Sequence, residues 1–214
     1  MKRVNIGCGP TPTPGWINFD NSLSVRLARH PLIAGALSRL RLLHQGQETL
    51  ILAAKNGDIQ WADAVRLIPL PDASVEVLYS SHMLEHLDRE SARAFLSEVR
   101  RVLMPNGMVR IVVPDLKKLV AEYHVDGDAD AFIEHSLLTR PKPRRIVDKL
   151  KYLVVGDRHH QWMYDGVSLT RLLVAAGFKE PRTLAAGSTQ IIDPGPLDLW
   201  ERVEESVYVE AYKK

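Results

Sequence analysis

Short apolar runs alternate with helical segments along this chain, and successive runs stop on small or polar residues. RVNI (3–6) stops at Gly7 and WINF (16–19) at Asp20. The short apolar segment in DIQWAD leads to Asp63, and VEVLYS (75–80) leads through Ser80 to Ser81 and His82. MVRIVV (108–113), after a PNG turn at 105–107, and ESVYVEAY (205–212) complete the strand signals. Between them, RESARAFLSEVRRVLM (89–104) places Ala92, Phe95, Leu96, Val99, Val102 and Leu103 at helical intervals and stops before Pro105 and Gly107. SLTRLLVAAG (168–177) does the same with Leu169, Leu172, Leu173 and Ala176, and ends at Gly177. Alternation of this kind predicts an α/β chain with a mainly parallel sheet covered on both faces. In such sheets the ligand sits outside the carboxyl ends of the strands.

Those ends carry the chemistry. Gly7 and Gly9 in GCGPTPTPG can take positive φ and let backbone N–H groups approach a ligand closely. Asp20 is an acid suited to accept from both hydroxyls of a ribose. A G-x-G alone is common, and Asp after a strand is usually a turn former; the order of four such ends along one chain is the stronger signal.

With 214 residues, 45% of them hydrophobic and 25% charged, the chain can bury one substantial core, so residues 1–214 are expected to form a single domain. No apolar stretch approaches the ~20 residues of a membrane span, and MKRVNIGCG has no long apolar leader region. The lone Cys8 excludes an intrachain disulfide and any multi-cysteine zinc cluster. We therefore expect a soluble, cytoplasmic protein. A net charge of +2 demands no nucleic-acid partner.

VNIGCGP with GWINFD, ADAVRLIPLPDASVEVLYSSHMLEHL, FLSEVRRVLMPNGMVRIVVPDL and HHQWMYDGVSLTRLLVAAGF together resemble the class I S-adenosylmethionine-dependent methyltransferases. The likeness is to the type 11 methyltransferase domain in particular, and it spans most of residues 4–178. It implies a Rossmann-like fold whose seven-stranded, mainly parallel sheet has an antiparallel last strand, here residues 205–212. It also implies S-adenosylmethionine as cofactor. On that resemblance Gly7, Cys8 and Gly9 wrap the methionine part, and Asp20, with Asn21 beside it, holds the ribose. Asp63, with Ala64, faces the adenine amine, while Ser81 and His82 line the cofactor near the substrate.

Two features depart from the family pattern. Alternating proline and threonine in PTPTP (10–14) cannot make the usual helix after the first strand, so the helix-dipole contribution to holding the cofactor carboxylate should be weak or missing. Residues 21–57 form a long insertion in which Ile33, Ala36, Leu37, Leu40 and Leu43 lie on one helical face, with Arg26, Arg29, Arg39 and Arg41 around it. A lid, a dimer helix, a peripheral anionic-membrane contact or a polyanionic substrate would each use it. A second basic run, RPKPRRIVDKLK (140–151), falls in the stretch 116–165 expected to shape the acceptor pocket, where it would suit a phosphorylated or uronic-acid-bearing acceptor. It has no aromatic interleaving, so nucleic acid is not favoured.

SSHMLEHL (80–87) sets His82, Glu85 and His86 in the H-x-x-E-H order of inverted zincins, but inside a methyltransferase-like block and after a buried strand, so a protease is rejected. Some methyltransferases carry E-x-x-E-H here and bind magnesium through it. His82 replaces the first glutamate and suits magnesium poorly. The expectation is that Glu85 and His86 brace a short helix, with no metal held. Methyl transfer from a sulfonium is an in-line displacement, so positioning and desolvation can supply most of the catalysis. An oxygen acceptor gains from a histidine base, and of His82, His159 and His160 the catalytic places are given to His82 and His160. The expected activity is methylation of a small-molecule or glycan-type acceptor. A catalytically silent cofactor-binding module and another nucleoside-cofactor enzyme of doubly wound fold are the alternatives; against the second, a full G-x-G-x-x-G is missing.

Overall fold

The computed structural model describes residues 2–139 and 159–214. Seven strands form one sheet: β1 (Lys2–Ile6), β2 (Ile17–Asp20), β3 (Gln60–Trp61), β4 (Val75–Ser81), β5 (Leu103–Pro114), β6 (Phe178–Leu184) and β7 (Ser206–Lys213). Their spatial order is β3-β2-β1-β4-β5-β7-β6. β1 to β5 pair in parallel, and β7 runs antiparallel to both neighbours, as expected of the last strand. The chain winds outward from β1 through β2 to β3, then restarts on the other side at β4. The topological switch point, where doubly wound folds bind ligands, therefore lies between the ends of β1 and β4.

Both faces are covered, but among the described residues the helices pack into the core of only one. On it, α4 (Arg89–Val102) buries Ala92, Phe95, Leu96, Val99 and Val102 against Val4, Leu78 and Ile111, and α7 (Gly166–Ala175) adds Leu169, Leu172 and Leu173. The side chains of Asp88 and Asp165 cap these helices by accepting from the amides of Ser91 and Ser168. On the second face the core is Trp16, Val77, Tyr79, Met108, Val112, Ile191, Leu197 and Tyr208, with no helical member. The proline-threonine stretch is non-helical, as its composition requires, and irregular chain from 185 to 203 does the covering.

That covering segment is anchored by a fully buried ion pair. Arg110 donates through Nη1 to Glu210 Oε1 at 2.7 Å across the β5–β7 pairing, and also to the Ser188 carbonyl at 3.0 Å. Thr189 Oγ1 and the Gln190 amide donate to the same carboxylate at 2.6 and 2.7 Å.

The insertion folds as α1 (Leu23–Leu27), α2 (Pro31–Arg39) and α3 (Gln45–Lys55). The apolar face expected over 33–43 is left largely open, with Ala34 the buried residue of α2 and Ile33 and Leu40 exposed. Packing comes instead from α1 and α3, where Val25 and Leu50 close over Cys8 and Ile59. α3 has a weak sequence signal; His44 caps it in a reciprocal exchange with Gln47. The expected PNG turn lies inside β5, as a shift of register against β4 between Val75 and Val77. After β5 come α5 (Leu116–Asp126) and α6 (Ala129–Ser136). The basic run 140–151 lies outside the described residues.

Breaking one side of a buried ion pair leaves an uncompensated charge. Arg110→Met is expected to cost about 3–5 kcal/mol, read as a lower urea midpoint at unchanged slope, and adding Glu210→Met should recover much of the loss. A single-variant loss below about 1 kcal/mol would show that the pair does not hold the segment.

Candidate functional site

β1 ends in a turn that only glycine enters easily. Gly7 has φ +71° and Gly9 φ +53°, while the Gly7 and Cys8 amides both donate back to the Phe19 carbonyl of β2 at 2.8 and 3.3 Å. A Cβ on Gly7 would lie 2.8 Å from Met83 Cγ; one on Gly9 would meet nothing within 4 Å. The Gly9 amide donates to Asp20 Oδ2 at 3.0 Å, and Oδ1 accepts from Ser22 N at 2.7 Å. Burial raises the Asp20 carboxyl above its ordinary value, against the pull of those two amides. Each of its oxygens keeps a second lone pair for a further donor.

Beside this loop lies a cavity of about 540 Å³ in the mouth between β1 and β4, within the usual range for cofactor sites. Gly7, Cys8 and Ser81 border it at the strand ends. Its other walls come from the 10–14 loop, from Asn5 and Tyr79 on the second sheet face, and from the covering segment through Glu201 and Arg202. Tyr79 donates its hydroxyl to Glu201, tying strand to segment, and burial followed by that carboxylate pushes the phenol upward. Ser81 lines the cavity wall, its hydroxyl buried beside the Tyr79 phenol. The strand-end turn, the Asp20 carboxyl beside it and the cavity's size fit a nucleoside-bearing cofactor.

At His82 the backbone turns left-handed, φ +47°, which is strained for a branched ring side chain and folds it inward. Its Nε2 lies 2.8 Å from Ser206 Oγ at the start of β7, and Arg202 Nη1 approaches Nδ1 at 3.1 Å. The guanidinium can only donate, so Nδ1 accepts and Nε2–H donates to Ser206. Burial first, and then the Arg202 charge, hold this imidazole down to about 3.

Behind it, on the 3₁₀ turn Leu84–His86, Glu85 is 1% exposed, and neither carboxyl oxygen has a hydrogen-bond partner among the described residues. Burial pushes that carboxyl up to about 8. The bracing expected of Glu85 is done by its backbone, whose carbonyl accepts from Gln161 and Trp162 amides at 2.7 and 3.2 Å. Around Glu85 Oε1 stand His82 Nδ1 at 3.5 Å, His86 Nε2 at 3.9 Å and His160 Nε2 at 4.0 Å. His160 is itself buried, and burial lowers it to about 4.

Of the residues singled out in the sequence, the cavity gathers Gly7, Cys8 and Ser81. Gly9 and Asp20 adjoin it through their mutual bond, and Asn21 follows, its carbonyl accepting from Trp61 Nε1 at 3.1 Å. Asp63 stands beyond β3, where its Oδ1 accepts from the Val65 amide and Arg66 pairs with it, with Ala64 buried beside it. His82 and His160 are not in the cavity lining but in the cluster around Glu85. Asp165 caps α7, Tyr164 is core, and Trp162 is half-exposed under the Arg89 guanidinium. Glu201, Arg202 and Ser206 escaped the sequence reading, because nothing local marks a residue that reaches a strand end from more than 100 positions away.

Over residues 4–111, half of its length, the chain matches the family model described as a methyltransferase domain. Among solved structures it is similar to a SAM-dependent methyltransferase of Thermotoga maritima, at 17% identity and a TM-score of 0.53 over 100% of this chain and 82% of that one. A SAM-dependent methyltransferase of Mesorhizobium loti gives 16% and 0.52 over 99% and 90%, and one of Methanosarcina mazei 13% and 0.52 over 99% and 92%. No curated protein matches it in sequence. The structural likenesses carry the fold and the family model carries the kinship: this chain belongs to the methyltransferase-domain family and is a class I S-adenosylmethionine-dependent methyltransferase.

Proposed function

We propose that the chain transfers the methyl group of S-adenosylmethionine to a small-molecule or glycan-type acceptor, and that an anionic acceptor suits it best. The observation that carries the cofactor's placement is the cavity lined by Gly7, Cys8 and Ser81 beside the positive-φ Gly7–Gly9 turn at the β1/β4 switch point. In this reading Gly7, Cys8 and Gly9 hold the methionine part. Asp20 with Asn21 takes the ribose, Asp63 with Ala64 the adenine, and Ser81 stands nearest the transferring methyl. No helix starts behind the glycine turn, so among the described residues Arg202 at the cavity wall is the cation available to a carboxylate or an anionic acceptor. The basic run 140–151 supports the anionic preference from sequence alone.

The cofactor brings its own leaving group, and the chain's part is to position and desolvate the acceptor. His82 has both ring nitrogens engaged, and His160 points Nδ1 at the Ser136 carbonyl, 2.8 Å away. Neither borders the cavity, so a general base is not assigned to them.

S-adenosylhomocysteine is expected to bind and raise the melting temperature, adding about 2.7 kcal/mol at a hundred times its Kd, while NAD leaves it unchanged. Asp20→Ala should weaken that binding by roughly 1–3 kcal/mol through the unpaired ribose donors. A shift with NAD and none with S-adenosylhomocysteine overturns the site assignment. A methylation screen pairing neutral sugars with their phosphorylated or uronic counterparts tests the acceptor, and equal kcat/KM within each pair would refute the anionic preference.

The two glycines should separate folding from binding. Gly7→Ala is expected to cost about 2–4 kcal/mol, combining a left-handed alanine with overlap on Met83. Gly9→Ala should cost only about 1–2 kcal/mol in urea yet lose affinity for S-adenosylhomocysteine measured by calorimetry. Equal destabilisation by the two would mean that Met83 yields and the turn is not pinned.

A further inference from the structure

The cluster around Glu85 is built like a metal site. A backbone carbonyl only accepts, so each histidine ring nitrogen facing one must carry the proton. His86 Nδ1 faces the His159 carbonyl at 3.2 Å and His160 Nδ1 the Ser136 carbonyl at 2.8 Å. In each neutral ring the acceptor is then Nε2, and both Nε2 atoms are turned to the same oxygen, Glu85 Oε1, at 3.9 and 4.0 Å. Those separations are too long for hydrogen bonds. The Glu85 carboxyl itself is 1% exposed and has no hydrogen-bond partner among the described residues, a buried polar group left for a ligand to satisfy.

We infer that Glu85, His86 and His160 form a binding site for one divalent transition-metal ion, their ligand atoms lying within 4.8 Å of one another. Carbonyl-fixed Nδ1–H groups are the outer contacts that orient metal-binding imidazoles. Two imidazoles and one carboxylate select zinc, cobalt, manganese or iron over magnesium or calcium. His82, although 3.5 Å from Glu85, gives its Nδ1 to Arg202 and is a positioning residue on the flank. This departs from the sequence expectation of no metal, which turned on His82 standing in place of a glutamate. The motif cannot show His160, which arrives from beyond the connection after β5. Three protein ligands leave coordination positions for water or, on the methyltransferase reading alone, for an acceptor oxygen; Arg202 joins this cluster to the cavity wall.

The test is a titration of the full chain, stripped with a chelator, with cobalt(II). One equivalent should bind and give visible d–d absorption, which zinc(II) then bleaches by displacement. Glu85→Gln and His160→Ala should each weaken binding beyond the roughly 10–100-fold that the loss of an outer contact costs. His86→Gln, at a half-buried ring, serves if the buried substitutions fail to fold. A preserved thermal shift with S-adenosylhomocysteine in the variants certifies the fold and keeps failure of the metal site separate from failure of the cofactor assignment. Absence of a saturable cobalt or zinc site in the wild type, or variants that bind as the wild type does, overturns the inference.

Discussion

A charge pair buried between β5 and β7 decides what can cover the sheet's second face. Arg110 and Glu210 sit on adjacent strands, both fully buried, and the remaining capacity of the carboxylate goes to Thr189 and Gln190 in the covering segment. An apolar pair there would pack at lower desolvation cost, but it would give an irregular stretch of chain no reason to prefer one position. Hydrogen bonds to a buried ion fix that position. The segment continues to Glu201 and Arg202, so the wall of the cavity depends on a pair buried in the sheet. Chain that forms no helix thereby gains the rigidity that a helix would have had from its own backbone.

The end of β4 shows the same dependence at closer range. Left-handed φ at His82 is strained, and it persists because its surroundings over-determine it: the amide bonds Val112, one ring nitrogen bonds Ser206, and the other receives Arg202. Turning the ring inward leaves Ser81 as the last residue of β4 to face the cavity. The direction of one side chain thus separates two environments, a polar cavity on one side and a buried histidine–glutamate cluster on the other.

Much of the sheet was legible in sequence because its signals are local. Apolar runs located six of the seven strands, and the apolar spacing of α4 and α7 is regular, with Gly177 just beyond the second. β6 escaped because FKEPRTL is an edge strand with mostly exposed side chains, so it has no apolar run to read. The insertion was half read. Its basic apolar helix is there, yet that face stays open, and the packing is done by α3, whose cap is an uncommon His44. Periodicity tells which residues share a face and is silent on whether the chain has anything to place against it.

Legibility of the site divides along the same line. Gly7, Gly9, Asp20 and Ser81 follow from strand ends, which sequence order fixes. Glu201, Arg202 and Ser206 do not, since they come to the β4 end from 120 or more residues away, and His160 meets the Glu85 turn across a shorter but still long gap in the chain. The contacts of Glu201, Arg202 and Ser206 depend on the pairing of β7 against β5, because β7 carries Ser206 and the strand pairing places the segment before it. Closing such long loops is costly before the contacts repay it, so the cavity is expected to be among the last parts of the molecule to assemble. A cofactor that binds the closed cavity would draw its stabilisation from that late step, coupling occupancy at β1 to the seating of the C-terminal strand.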